Sequence, residues 1–157
     1  MSALFIFDHA PIGAIVSWTD GRPRPPEHLI RACAEWKRNN TTGRLVRKRS
    51  HFVMGQSGVP ANIKVTTDGI DDFGDVIGPD FRTFPVDADL SFTIVERPPA
   101  GAYRVLDGAR EDAELVHLAA SRARAEEWVR NCGFATPAIF EVTADEVAAD
   151  HVEGRVA

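Results

Sequence analysis

The chain has 157 residues, of which 44% are hydrophobic and 26% charged, and it carries a formal net charge of −5. A chain of this length buries roughly 70% of its extended surface on folding, so it needs neither disulfides nor metal to hold a core. The same figures exclude wholesale disorder, and the two cysteines, Cys33 and Cys132, are too few for a disulfide framework.

The charge is unevenly spread. Residues 1–51 hold nine Lys or Arg against four acidic side chains, whereas the remainder holds nine against nineteen. Such a split marks either a binding face or two regions that neutralise each other in the fold. The opening run Met1 to Phe7 has no basic leader and is cut short by Asp8, and no stretch approaches the roughly 20 apolar residues that span a bilayer. The expectation is a cytoplasmic protein without a membrane segment, with residues 1–157 forming one domain.

In chain order, Ala3 to Phe7 and Ile12 to Trp18 read as two strands of a hairpin, joined through Asp8-His9-Ala10-Pro11. The proline-rich run Arg22 to Pro26 is extended. A helix is then expected from about Pro26 to Asn39, because Leu29, Ile30, Cys33 and Trp36 recur at helical spacing and Gly43 lies just beyond. From Arg44 to about Val95 the pattern turns to strands. The best are Ile63 to Thr67 and Leu90 to Val95, the latter alternating Leu90, Phe92 and Ile94 with Ser91 and Thr93. Arg97-Pro98-Pro99-Ala100-Gly101 turns the chain, and Ala102 to Leu106 is expected to pair back as a second hairpin.

In the last third, Glu114 to Leu118 reads as a strand rather than as a backward extension of the helix that follows, because Ser121 would be weak in mid-helix. Ser121 instead suits the N-cap of a helix with an apolar stripe of Ala125, Trp128, Val129 and Cys132, and Gly133 is placed as a left-handed C-cap. A strand from Ala138 to Val142 and a final helix from Ala144 to about His151 complete the chain. Thr143 and Glu146 have capping-box spacing there, and Val142 and Val147 have that of a hydrophobic staple. The fold class is therefore α+β, an antiparallel or mixed sheet with two or three helices packed on one face.

The segment Trp36 to His51 contains Lys37, Arg38, Arg44, Arg47, Lys48 and Arg49 and no acidic residue. These six cations are the candidate nucleic-acid contacts, since a helix end and a basic strand can lay several charges along a phosphate backbone. The structural alternative is a set of charges that guards a sheet edge or pairs with the acidic half of the chain. The net charge of −5 argues against a dedicated nucleic-acid binder.

Asp68, Asp71, Asp72, Asp75 and Asp80, interleaved with glycines, fail both registers of a calcium loop and read as a solvated turn. Asp87-Ala88-Asp89 has no nucleotide motif beside it. Gly55-Gln56-Ser57-Gly58-Val59 lacks the last glycine of a nucleophile elbow, and no two of the five histidines have metal-ligand spacing. Phosphate-loop glycine patterns are absent, so no cofactor and no metal are expected.

These features favour a noncatalytic macromolecule-binding or adaptor domain, its partner a protein or a nucleic acid. The alternatives are a small enzyme whose site is assembled only by folding, and a protein-interaction module with an acidic face.

Overall fold

The computed structural model describes residues 1–146. Their elements are α1 (Ala3–His9), β1 (Ile15–Thr19), α2 (Ile30–Arg38), β2 (Asn40–Arg49), β3 (Phe52–Met54), β4 (Ser57–Val59), β5 (Asn62–Ile70), β6 (Val76–Pro85), β7 (Ser91–Glu96), β8 (Tyr103–Leu106), β9 (Leu115–Ala119), α3 (Arg122–Arg130) and β10 (Ala138–Glu141). The α+β composition is present, with sheets dominating. Instead of one sheet covered on one face, the strands form a five-stranded sheet in the order β6-β5-β2-β1-β7, a three-stranded sheet β10-β8-β9, and the small hairpin β3-β4. Every pairing is antiparallel. The helices are divided as well: α1 lies against β5 and β7, α2 beside β2, and α3 on β8 and β9. Among the described residues no helix is long and apolar enough to cross a membrane.

The expected first strand is a helix. A short apolar run satisfies either period, and here Ala3, Ile6 and Ala10 fall at helical spacing and are fully buried. Ser2 caps the helix, its hydroxyl accepting from the Phe5 N–H at 3.2 Å. The N-terminal hairpin therefore does not form. β1 pairs instead with β2 and β7, and its face bearing Val16 and Trp18 packs with Leu45, Ile63, Val65, Phe84 and Phe92 beneath α1. Ring centroids of Trp18 and Phe84 lie 5.2 Å apart, and those of Phe84 and Phe92 5.3 Å apart in an edge-on contact.

The second expected hairpin is also replaced. β7 joins the large sheet through β1, whereas β8 pairs with β9 and β10, so the turn at 97–101 carries the chain from one sheet to the other. The strand expected at 114–118 is β9, and α3 follows it with Ser121 accepting from the Arg124 N–H at 3.3 Å. Gly133 is not a left-handed cap: α3 ends at Asn131, and Gly133 is not among the glycines with positive φ. Gly43 does not stop α2 either. That helix is capped by Asn39, and Gly43 is a buried residue of β2. Residues 144–146 are helical, with Thr143 accepting from the Glu146 N–H at 3.2 Å. The rest of the expected last helix, and Val147 of the staple, lie outside the described residues.

Polar links join the two larger sheets. The Arg104 guanidinium donates to the Ile12 carbonyl at 2.7 Å, Lys64 on β5 pairs with Glu114 at 2.9 Å, and Arg49 on β2 pairs with Asp112 at 3.1 Å.

Candidate functional site

The six cations of the basic segment are on the last turn of α2 and on β2, an interior strand flanked by β1 and β5. β1 pairs only with residues 40–44 of β2, however, so Arg47, Lys48 and Arg49 lie on a stretch whose one ladder partner among the described strands is β5. Lys37 is exposed and the other five are half-buried. Arg38 reaches to the turn after β5, donating to the carbonyls of Ile70 (2.9 Å) and Asp71 (3.1 Å), with Asp72 at 3.7 Å. Arg44 donates to the Gly13 carbonyl at 2.6 Å. Arg47 stands opposite Lys64 and Lys48 opposite Ile63 in the ladder with β5. The guanidinium of Arg49 pairs with Asp112 and lies 5.5 Å from the Phe52 ring centroid. Arg38, Arg44 and Arg49 are thus bonded within the protein to carbonyls or to acidic residues from the other half of the chain.

The acidic stretch is built into the β5-β6 connection. The Asp71 carboxylate accepts from the backbone N–H groups of Phe73 (2.9 Å) and Asp75 (3.0 Å), and Gly74 supplies the positive φ of 85° that the turn requires. No group of three or more metal-ligating side chains occurs among the described residues. Gly55 and Gln56 form the turn of the β3-β4 hairpin, Ser57 pairs with Met54, and His117 stacks on Trp128 with centroids 4.9 Å apart.

Two features of the long β5-β6 hairpin were not read from the sequence. The first is its tip, where Phe73, Val76 and Ile77 are 73%, 63% and 71% exposed beside Asp71, Asp72 and Asp75. Singly exposed apolar residues are ordinary, but here three large ones lie within five residues, Phe73 on the turn and Val76 and Ile77 at the start of β6. The outer edge of β6 is poor in free N–H donors for an added strand. Pro79 and Pro85 have no N–H, the two-residue period puts the Phe81 N–H on the same side as theirs, and Phe81 donates to the Asp80 carboxylate at 2.8 Å.

The second feature is a cleft of about 740 Å³ between the end of α2 and the hairpin, within the range of ligand sites. Lys37, Arg38 and Arg82 supply its cations, and Glu35, Asp68 and Asp80 its carboxylates. Arg82 stacks 4.7 Å from the centroid of Phe84 and 5.9 Å from that of Trp18, and it donates to the Arg38 carbonyl, which also accepts from the Trp18 indole. Burial of this guanidinium is the main reason its pKa lies below the ordinary arginine value, with Asp80 opposing the shift and Arg38 adding to it. Nothing in the sequence around Arg82 marks it, since its neighbours Phe81 and Thr83 are ordinary strand residues.

A family model described as Uncharacterised conserved protein UCP036055 matches residues 1–146. No curated protein and no solved structure matches the chain.

Proposed function

The chain belongs to that family, and we propose that it is a noncatalytic, single-domain macromolecule-binding or adaptor protein whose partner is another protein, met by the tip of the β5-β6 hairpin. The observation that carries this reading is the exposure of Phe73 on the turn and of Val76 and Ile77 at the start of β6, interspersed with Asp71, Asp72 and Asp75. Apolar anchors within a charged rim are the usual anatomy of a protein contact. Asp71 and Gly74 fix the turn, so the anchors are presented without ordering a loose loop. The unbridged Cys33 and Cys132 support a reducing, cytoplasmic setting for that contact.

Nucleic-acid contact through Lys37, Arg38, Arg44, Arg47, Lys48 and Arg49 has less support, because Arg38, Arg44 and Arg49 already bond within the fold. A phosphate backbone would compete with those partners at each position.

The test compares the wild-type protein with a Phe73→Ser/Ile77→Ser variant, both checked for folding by circular dichroism, as immobilised baits, with retained macromolecules identified by mass spectrometry. A protein held by the wild type and lost by the variant is the expected result. Identical retention by both baits would overturn the tip as the contact. Salt-sensitive binding of labelled DNA or RNA that disappears on reversing Arg47, Lys48 and Arg49 would replace this reading with the nucleic-acid one.

A further inference from the structure

We propose that the cleft between α2 and the β5-β6 hairpin is a carboxylate-binding site, with the Arg82 guanidinium as the anchoring group. This inference concerns a small ligand or a peptide terminus and stands independently of the partner contact at the hairpin tip.

Arg82 is held at the wall of this cleft. Among the described residues it makes no ion pair, and its one hydrogen bond goes to the Arg38 carbonyl. None of its nitrogens is among the buried atoms left without a partner, so its remaining donors are accessible, and Arg82 lines the cleft. The group is also held in place. Phe84 and Trp18 lie against the guanidinium, and the bond to the end of α2 fixes its rotation. A planar fork of donors, already oriented and half withdrawn from water, matches a carboxylate in two parallel hydrogen bonds.

The electrostatics point the same way. Asp80 partly offsets the burial of the Arg82 cation while also accepting from the Phe81 N–H, and Arg38 opposes it as a like charge, so no carboxylate is in direct ion-pair contact with the guanidinium among the described residues. An anion between Arg82 and Arg38 would relieve that repulsion and raise the affinity of both cations for their protons. Glu35, Asp68 and Asp80 also line the cleft, which penalises a phosphate dianion about twice as much as a carboxylate monoanion. Asn40 and Thr67 add neutral polar groups on the wall, and Ile70 and Val76 add apolar surface for the remainder of the ligand.

The experiment is a titration of the isotope-labelled full chain followed by two-dimensional NMR. The probes are succinate, the tripeptide Ala-Leu-Phe with a free C-terminus, the same tripeptide as its C-terminal amide, and inorganic phosphate. Saturable shifts at the Asn40, Thr67 and Gly69 amides and at the Arg82 side chain are expected with a carboxylate probe. The amide should give none. Succinate alone acting would identify a small dicarboxylic ligand, and the tripeptide alone acting a peptide terminus.

Arg82→Gln should weaken the active probe at least about tenfold, the size expected when a charged hydrogen bond is lost. Arg82→Lys, which keeps the charge without the fork, should also weaken it. If Arg82→Gln does not fold, the acid and amide forms of the tripeptide make the same test on the wild-type protein. Equal response to acid and amide, a response to phosphate without one to either carboxylate, or no response at millimolar concentration would overturn the proposal. None of these results bears on the Phe73→Ser/Ile77→Ser comparison, so the two readings fail separately.

Discussion

The indole N–H of Trp18 donates to the main-chain carbonyl of Arg38 at 3.0 Å, tying the aromatic centre of the large sheet to the last turn of α2. Trp18 is 2% exposed and packs against Phe84 and Phe92. Trp18→Phe removes the hydrogen bond and part of the ring, but the Arg38 carbonyl keeps its bond from Arg82 and is not orphaned. The expected loss is about 2–3 kcal/mol in urea denaturation, from the neutral hydrogen bond and the space left behind. A loss below about 0.5 kcal/mol would mean that the contact adds nothing to its burial.

Gly43 of β2 lies directly under that ring. A methyl group there would collide with the Thr66 carbonyl oxygen and stand 3.1 Å from the Trp18 ring. Thr66 is on the central part of β5, which cannot retreat without breaking its ladder with β2 or β6. Gly43→Ala should therefore cost about 2–3 kcal/mol by overpacking. Gly133→Ala is the contrast: a Cβ at that position meets nothing within 4 Å, and φ is not positive. That variant should be neutral or gain up to about 1 kcal/mol through the unfolded state. Thermal melts of the two variants side by side give the comparison.

How much was legible varies with the range of the determining interaction. Strand β7 could be read from Leu90 to Val95 because one face meets the core and the other is wet, which the two-residue period records directly. α3 was legible from Ser121 and its apolar stripe, both local signals. The run from Ala3 to Phe7 was not, because it is too short for its period to distinguish helix from strand, and burial beneath the large sheet decides the matter. The basic segment was visible as charge, but its partners were not, since Arg49 meets Asp112 across a separation of 63 residues. The tip of the β5-β6 hairpin was obscured by its own aspartates, which make Phe73, Val76 and Ile77 look like incidental members of a polar loop.

Asp20 gives a prediction in pH. Its carboxylate accepts from the Arg22 backbone N–H and the Asn40 side-chain amide, each at 3.0 Å, and these bonds, the backbone one foremost, hold its pKa below the ordinary 3.8. A depressed folded-state value favours folding above the unfolded pKa, and the contribution is lost as pH falls through the lower value. The wild type should accordingly exceed Asp20→Asn in stability at neutral pH. The gap should close below about pH 4, as the carboxylate becomes protonated in both states. Denaturation midpoints of both proteins across that range test this, and a gap that stays constant into strong acid would contradict it.

Lys64 and Glu114 form one of the polar pairs that join the two larger sheets. Their side chains are 20% and 19% exposed, and the ammonium also lies 4.4 Å from the Phe81 ring centroid. Removing one partner leaves a charge with little access to water, which is far more costly than breaking an exposed pair. Glu114→Gln should destabilise the protein by about 1–3 kcal/mol. Lys64→Met with Glu114→Leu should recover most of that loss, because the desolvated charge disappears together with its partner. The exposed pair Arg122 and Glu126, at 72% and 48%, should show a coupling of about 0.5 kcal/mol or less in the same double-mutant cycle. Position in the fold adds a second readout. The Asp107 N–H donates to the Glu114 carbonyl at 2.9 Å, and the Asp107 carboxylate accepts from the Glu114 N–H at 2.9 Å. Glu114→Gln should therefore speed amide exchange at Asp107 and Glu114 more than at Val16 or Val65 in the core. Uniform acceleration across all four amides would show that the pair contributes to global stability without holding the joint.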